Sequence, residues 1–433
     1  MVTSAIRTIN LFNPGYRRQQ QSDRVILHSD LNCFYAAVET MLHPALQGKA
    51  IAVCGSTEER HGIVLAKSYP AKRRGVRTGM VNWEAKRLCP DLIFVPPHYD
   101  QYVKYSRLVQ NIYGRFTEQV EPFGMDECWL DVTASTELYG TGLSIARRLS
   151  AMVEEELGLT VSIGVSFNKV FAKLGSDMHK PRGLTQITRE NFRELVWPLP
   201  VGEVIYAGPA TVLKLAQRGI LTVGQLAALA PEQVRRWLGK NGEALWGYAT
   251  GLDGSRVSRR GFVSPVKSIG HGITCTADLA NETEVWQVLL ELAQDVGHRL
   301  RVHELLAGGV QVTVRGGDLN FHQYQTTLPL AHRSPYLLAV AARKLLHAGY
   351  DWRQPVRAVS IRATKLQSQD QVQQPDLFTD VAALQCRDRL ENTVEKVRSR
   401  YGKKALYAAS LLGDIKMPRD GRDEVRMPGL MYK

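Results

Sequence analysis

No stretch of this 433-residue chain approaches the run of roughly 18 or more apolar residues that a membrane-spanning helix needs, and its basic residues are spread along the whole length. A membrane anchor is therefore not expected. Cysteine is scarce: Cys33, Cys54, Cys89, Cys128, Cys275 and Cys386 stand without any C-x-x-C pair, which argues against a zinc framework or a disulfide scaffold and suits a reducing cytoplasm. Residues 1–23 lack a long apolar core followed by a small-residue cleavage site, so they read as a polar, partly basic tail and not as a secretory signal. Acidic residues are in the minority, 42 against 55 lysines and arginines, for a formal charge of +13. That balance favours a polyanionic partner over an acidic small molecule, and without a membrane segment nucleic acid is the better fit. At about 100 to 200 residues per domain, the length implies two to four domains.

Hydrophobic periodicity organises what is there. Residues 24–29 read as a short buried strand leading to Asp30, and a helical pattern follows from about Cys33 to Met41. Strand patterns recur at 127–132, directly after Asp126, and at 161–166, with helical periodicity between them. Together these segments describe an α+β sheet domain. It is split by an insertion whose basic segment, KSYPAKRRGVRTGM, is broken by Pro70, Gly75 and Gly79 and cannot form one long helix. After Gly183 come short helices joined by glycine turns, ending near Gly254. The basic linker SRVSRRGF follows, and 264–366 mixes strands with two helical runs, as a small separate α+β domain would. A glutamine-rich polar stretch then opens the tail, and a helical run extends from Val381 to Tyr401.

The chemistry concentrates on carboxylates. Asp126 and Glu127 begin one strand and Asp30 closes another. Neighbours on a strand point to opposite faces, so two adjacent carboxylates converge only at a bend or a strand end, a freedom that Gly124 supplies. Three such groups brought together repel each other unless a cation neutralises them, and hard oxygen ligands suit magnesium. An isolated Asp-Glu pair is more often a solvated strand edge, and the spacing alone equally describes a nucleotide cyclase.

Four segments in order, HSDLNCFYAAVE, GMDECWLDVT, SIGVSFNKVFAKLGSDMHKP and SPVKSIGHG, resemble the motifs of the Y-family translesion DNA polymerases, over nearly all of 24–366. The resemblance implies a multidomain α+β fold of right-hand form. A ferredoxin-like palm would occupy 24–33 and 98–187, small fingers 34–97, a helical helix-hairpin-helix thumb 188–258, a linker 259–263, an α+β little finger 264–366, and a tail 367–433. The implied activity is template-directed, error-prone addition of deoxynucleotides to a primer 3′ end in translesion synthesis, in a cytoplasmic monomer. Two magnesium ions would be held by Asp30, Asp126, Glu127 and the backbone carbonyl of Leu31. Tyr35 falls at the steric gate, where a flat ring beneath the incoming sugar leaves no room for a 2′-hydroxyl. Phe34, Tyr69, Lys72, Arg73 and Lys180 match nucleotide-binding positions, the cations neutralising the triphosphate. Three departures from many relatives stand out: Asn32 for aspartate, Gly124 for serine, and Lys72 for arginine, which replaces a bidentate fork by a point charge.

Arg256, Arg259, Arg260, Lys267, Arg315 and Lys365 would line a DNA path read without base specificity. The QPDLF run, with Gln374, Asp376, Leu377 and Phe378, has the form of a sliding-clamp peptide at 374–378, two apolar anchors on an extended segment. Its bland alternative is a tail that folds back on its own domain. A rival reading of the whole chain is a catalytically silent DNA-binding module that recruits repair proteins; it leaves three intact carboxylates without a purpose.

Overall fold

Strand Ile26–Leu31 is buried at all six positions, because it lies in the middle of a sheet covered on both sides. In the computed structural model, which describes residues 23–375, 377 and 379–418, the chain divides into two compact units. The first comprises 23–38 and 101–262. Its five-stranded sheet runs in the order Val120–Pro122, Glu127–Asp131, Ile26–Leu31, Val161–Ser166, Leu184–Ile187. The central strand is antiparallel to both neighbours, and only the last pair is parallel.

Two helices cover this sheet for local reasons. Helix Gly142–Leu157 starts where the Thr141 side chain accepts from the Ser144 N–H. It buries Ile145, Ala146, Leu149 and Val153 on one stripe and stops at Gly158 in the left-handed region, φ 66°. Helix Lys169–Met178 is capped by Asn168, whose side chain accepts from the Phe171 N–H at 2.7 Å. It presses so close to strand Val161–Ser166 that a Cβ on Gly164 would lie 1.9 Å from the Ala172 carbonyl oxygen. Only glycine allows that approach, and the approach brings the helix's charged face over the strand ends. Beyond the sheet, helices Pro209–Ala216, Val223–Ala227, Pro231–Leu238 and Lys240–Ala249 pack around Leu215, Val223, Leu226, Val234 and Leu245. Thr222 and Gln225 form a reciprocal capping box there.

The second unit comprises 39–100 and 263–418 of the described residues. Its small sheet has the order Val64–Lys67, Ile51–Cys54, Ile93–Val95, and its larger one is antiparallel, in the order Phe321–His332, Leu305–Gly316, Val356–Ser368, Ile269–Leu279. Helices Glu282–Val302 and Pro335–Gly349 bury Val285, Leu289, Leu292, Val296, Leu338 and Ala342 against it. As Pro70 and Gly75 require, the basic segment of the small sheet's neighbourhood yields only the short helix Tyr69–Arg73.

Residues 381–418 are tied into this second unit. Helix Val381–Tyr401 has no buried residue and is held by charge: Arg301 meets Glu391 at 3.1 Å, Arg333 meets Asp388 at 3.2 Å, and the Ser334 hydroxyl donates to Glu391 at 2.6 Å. Further on, Leu411 and Ile415 are buried, and the Thr276 N–H donates to the Lys416 carbonyl at 2.9 Å. No helix among the described residues is long and apolar enough to cross a membrane.

Candidate active site

Asp30 does not terminate its strand. It is still in the ladder, opposite Glu127 on one side and Ser162 on the other; the second ladder runs one pair further, Leu31 opposite Val161, whereas Glu127 is the first residue of its strand. Asp126 lies one residue before strand Glu127–Asp131, and its carbonyl accepts from the Leu31 N–H at 2.9 Å, which pins the two chain segments together. Gly124, at φ 87°, provides the bend that admits Asp126. The three carboxylates thereby share one electrostatic neighbourhood, each affecting the ionisation of another.

Their charges are answered unequally. Burial pushes the Asp30 carboxyl up to about 7 against the pull of Lys180, with Glu127 and Asp126 adding to the rise. Asp126 is pushed up to about 6, first by burial and then by Glu127. Burial would raise Glu127 as well, but His28 and Lys173 outweigh it and hold this carboxyl at about 2. The contacts explain the difference: Lys173 Nζ is 2.5 Å and His28 Nε2 3.3 Å from Glu127 Oε2, while Lys180 Nζ is 2.6 Å from Asp30 Oδ2. Burial, which by itself would lower Lys180, is overcome by Asp30 and Asp177, and the ammonium is raised.

Among the described residues no three acidic, histidine or cysteine side chains stand in a closed metal-ligating arrangement, since lysines hold Asp30 and Glu127. The donor set nevertheless fits a hard divalent cation. Buried Asp30 and half-buried Asp126, both with raised pKa values, beside a third anion are what a cation would relieve, and all the donors are oxygens.

The sign of the pH dependence follows from these shifts. The folded value of Asp30 is above its ordinary 3.8, so the stability it contributes is full at low pH and is lost as pH rises through about 7. Buried His28 is shifted down from 6.5 and acts oppositely, but only below that pH. Between pH 6.5 and 8, where only the last part of that loss falls, the melting temperature in a chelator is expected to drop by about 2 °C, and Asp30→Asn to flatten the slope. A calorimetric series over that range decides; an unchanged slope in the variant would remove Asp30 as its source.

Tyr35, half-buried, stacks on Tyr102 with ring centroids 4.2 Å apart and planes 8° from parallel, and its hydroxyl lies 3.7 Å from Met125 Sδ. Phe34 is buried beside it, 5.5 Å between centroids. Asn32 is drawn the other way: its carboxamide oxygen accepts from Ser162 at 2.9 Å and its NH2 donates to Thr160 Oγ1 at 3.2 Å. Asn32 thus pins the central strand to its neighbour.

The first unit therefore brings together Asp30, Leu31, Phe34, Tyr35, Asp126, Glu127 and Lys180. Tyr69, Lys72 and Arg73 lie in the second unit on helix Tyr69–Arg73, with the Lys72 ammonium 5.7 Å from the Tyr69 ring centroid. Of the expected DNA-path residues, Arg256, Arg259 and Lys267 are exposed, whereas Arg260 is engaged by Asn111 and its N–H donates to the Glu118 carbonyl. Gln374 is exposed and Leu377 fully so; Asp376 and Phe378 lie outside the described residues. Sequence reasoning missed His28, Lys173 and Asp177. The available signal was spacing: His28 precedes Asp30 by two on a strand, hence on one face, and Lys173, Asp177 and Lys180 follow at i, i+4 and i+7.

Carboxylates on and beside two adjoining antiparallel strands, with Lys173 on the covering helix and Lys180 just past its end, suit the palm of a nucleotidyl-transfer enzyme. The impB/mucB/samB family matches residues 29–177 and the C-terminal domain of that family matches 266–377. The chain is 43% identical to DNA polymerase IV of Acetivibrio thermocellus, covering 90% of this chain and 98% of that protein. It is 38% identical to DNA polymerase IV of Moorella thermoacetica (90% and 97%) and 36% identical to DNA polymerase IV 1 of Bacillus subtilis (90% and 93%). In fold it matches a chimeric Y-family DNA polymerase at a TM-score of 0.70 and 22% identity, over 79% of this chain and 99% of that one. The chain belongs to the impB/mucB/samB family of Y-family translesion DNA polymerases, template-directed enzymes of DNA damage tolerance.

Proposed function

We propose that this polymerase extends primed template DNA with deoxynucleoside triphosphates at a centre where Asp30, Asp126, Glu127 and the Leu31 carbonyl hold two magnesium ions. Three carboxylates that perturb one another's ionisation, with Asp30 and Asp126 both raised, support this reading. When bound, the ions would supply the acidity that activates the primer hydroxyl and the charge that stabilises the departing pyrophosphate. The chain's own residues do the positioning. His28 and Lys173 fix one oxygen of Glu127, and Lys180, with Tyr69, Lys72 and Arg73 of the fingers segment 34–97, grips the triphosphate. The Tyr35 ring, held by Tyr102 and Phe34, excludes a ribose 2′-hydroxyl. Residues 24–33 with 98–187 act as palm, 188–258 as thumb and 264–366 as little finger, the basic residues of linker and little finger tracking the DNA backbone. In the same reading the enzyme is a cytoplasmic monomer, and Gln374, Asp376, Leu377 and Phe378 dock on a sliding clamp, an interaction that fully exposed Leu377 favours.

Purified protein, a primed template, magnesium and all four deoxynucleotides are the test, run with and without clamp. Template-matched extension that clamp stimulates about tenfold, through Leu377 and Phe378, supports the reading. Tight DNA binding with no extension under any metal would favour the silent recruitment module.

A further inference from the structure

Helix Lys169–Met178 presents Lys173 and Asp177 one turn apart, and Lys180 follows just past its end. Their charges alternate with those of the strand carboxylates. Glu127 meets Lys173 at 2.5 Å, Lys173 meets Asp177 at 3.8 Å, Asp177 meets Lys180 at 2.8 Å, and Lys180 meets Asp30 at 2.6 Å. Since Asp30 and Glu127 are cross-strand partners, the series closes into a ring. Asp177 is its one carboxylate on the helix, 41% exposed where Asp30 is 9%.

We propose that Asp177 is a positioning residue that takes over the Lys180 ammonium when a divalent cation takes Asp30. The proposal rests on the assignment of Asp30 to the metal and Lys180 to the triphosphate. Lys180 is a point charge on a flexible stem, held here between two carboxylates. A cation arriving at Asp30 repels this ammonium. With Asp177 in place, Lys180 leaves Asp30 while keeping a charge-assisted hydrogen bond, and it stays beside the carboxylates where a triphosphate would arrive. Lys173 steadies the Asp177 carboxylate from the other side. With asparagine at 177, Asp30 is the one carboxylate in contact with Lys180, and the lysine competes directly with the cation.

The test is manganese binding to the full-length protein without DNA or nucleotide, read from the free-ion resonance signal, for wild type, Asp177→Asn, Asp177→Glu, Lys180→Met, the Asp177→Asn/Lys180→Met pair and Asp30→Asn, each checked for folding by circular dichroism. Asp177→Asn is expected to weaken binding about tenfold, Lys180→Met to alter wild type by no more than about threefold, and the pair to return to within about threefold of wild type, a strong non-additivity. Asp177→Glu should stay near wild type. If the single effects add, Asp177 is only a remote charge and the proposal falls; if Asp177→Asn binds as wild type does, it falls as well. If Asp30→Asn leaves binding unchanged, the metal assignment itself fails and takes the proposal with it.

Discussion

Glu127→Gln is expected to lower the single-turnover rate of nucleotide addition by about a thousandfold while leaving primer-template affinity within about twofold. The substitution preserves shape, so strand pairing with Asp30 and the edge-on contact of His28 with Trp129 are retained. It removes the most strongly ionised member of the carboxylate set, the one held at about 2 by His28 and Lys173. Asp30 and Asp126 cannot replace that charge, since burial raises both carboxyls towards neutrality. With Glu127 as the proposed metal ligand and Lys180 left in place, the loss should appear in the rate at saturating nucleotide and not in apparent nucleotide affinity. The side effect on stability is small: Lys173 loses an ion pair at a position 17% exposed but keeps Asp177 nearby. Rapid-quench extension beside anisotropy of labelled DNA measures both quantities. A rate within tenfold of wild type would remove Glu127 from the catalytic centre.

The parts of this molecule that were legible in sequence are those with a local signature. Strand Val161–Ser166 and helix Val381–Tyr401 coincide with the segments marked by their apolar and helical patterns, and the bend at Gly124 follows from a glycine beside two carboxylates. What the helix Val381–Tyr401 does was not legible. It buries no residue and docks through ion pairs to Arg301 and Arg333, partners 90 and 55 positions away, and such contacts impose no periodicity. The site divides the same way. Asp30, Asp126 and Glu127 announce themselves as carboxylates set in or directly before short apolar strand patterns. Lys173 looks like one more solvated helix charge until the fold brings Glu127, 46 positions earlier, against it. Asn32 reads as a carboxylate lost from the metal set, yet its carboxamide ties the end of the central strand to strand Val161–Ser166 and the residue before it. Long-range pairing assigns these roles, and residue order alone does not encode it.

Tyr35→Ala is expected to relax discrimination against ribonucleotides by about a hundredfold, and Tyr35→Phe to leave it within about threefold of wild type. The two outcomes separate the ring from its hydroxyl. Tyr35 is oriented chiefly by stacking: Tyr102, itself fully buried, lies parallel at 4.2 Å, and Phe34 closes one edge. The hydroxyl reaches Met125 Sδ at 3.7 Å, a weak contact whose loss leaves the ring where it is. Phenylalanine therefore keeps the wall, whereas alanine removes it and exposes the Tyr102 face. Opening that half-buried position should also destabilise the first unit by about 2 kcal/mol, short of the full cost of emptying a core aromatic site. A thermal melt measures this separately from selectivity. With Tyr35 as the proposed gate, the added space would lie under the sugar and the gain should fall on the 2′-hydroxyl substrate: extension with ribonucleotides rises while the deoxynucleotide rate drops by no more than about tenfold. If ribonucleotide and deoxynucleotide rates fall together with their ratio unchanged, Tyr35 is a packing residue and the discriminating wall lies elsewhere.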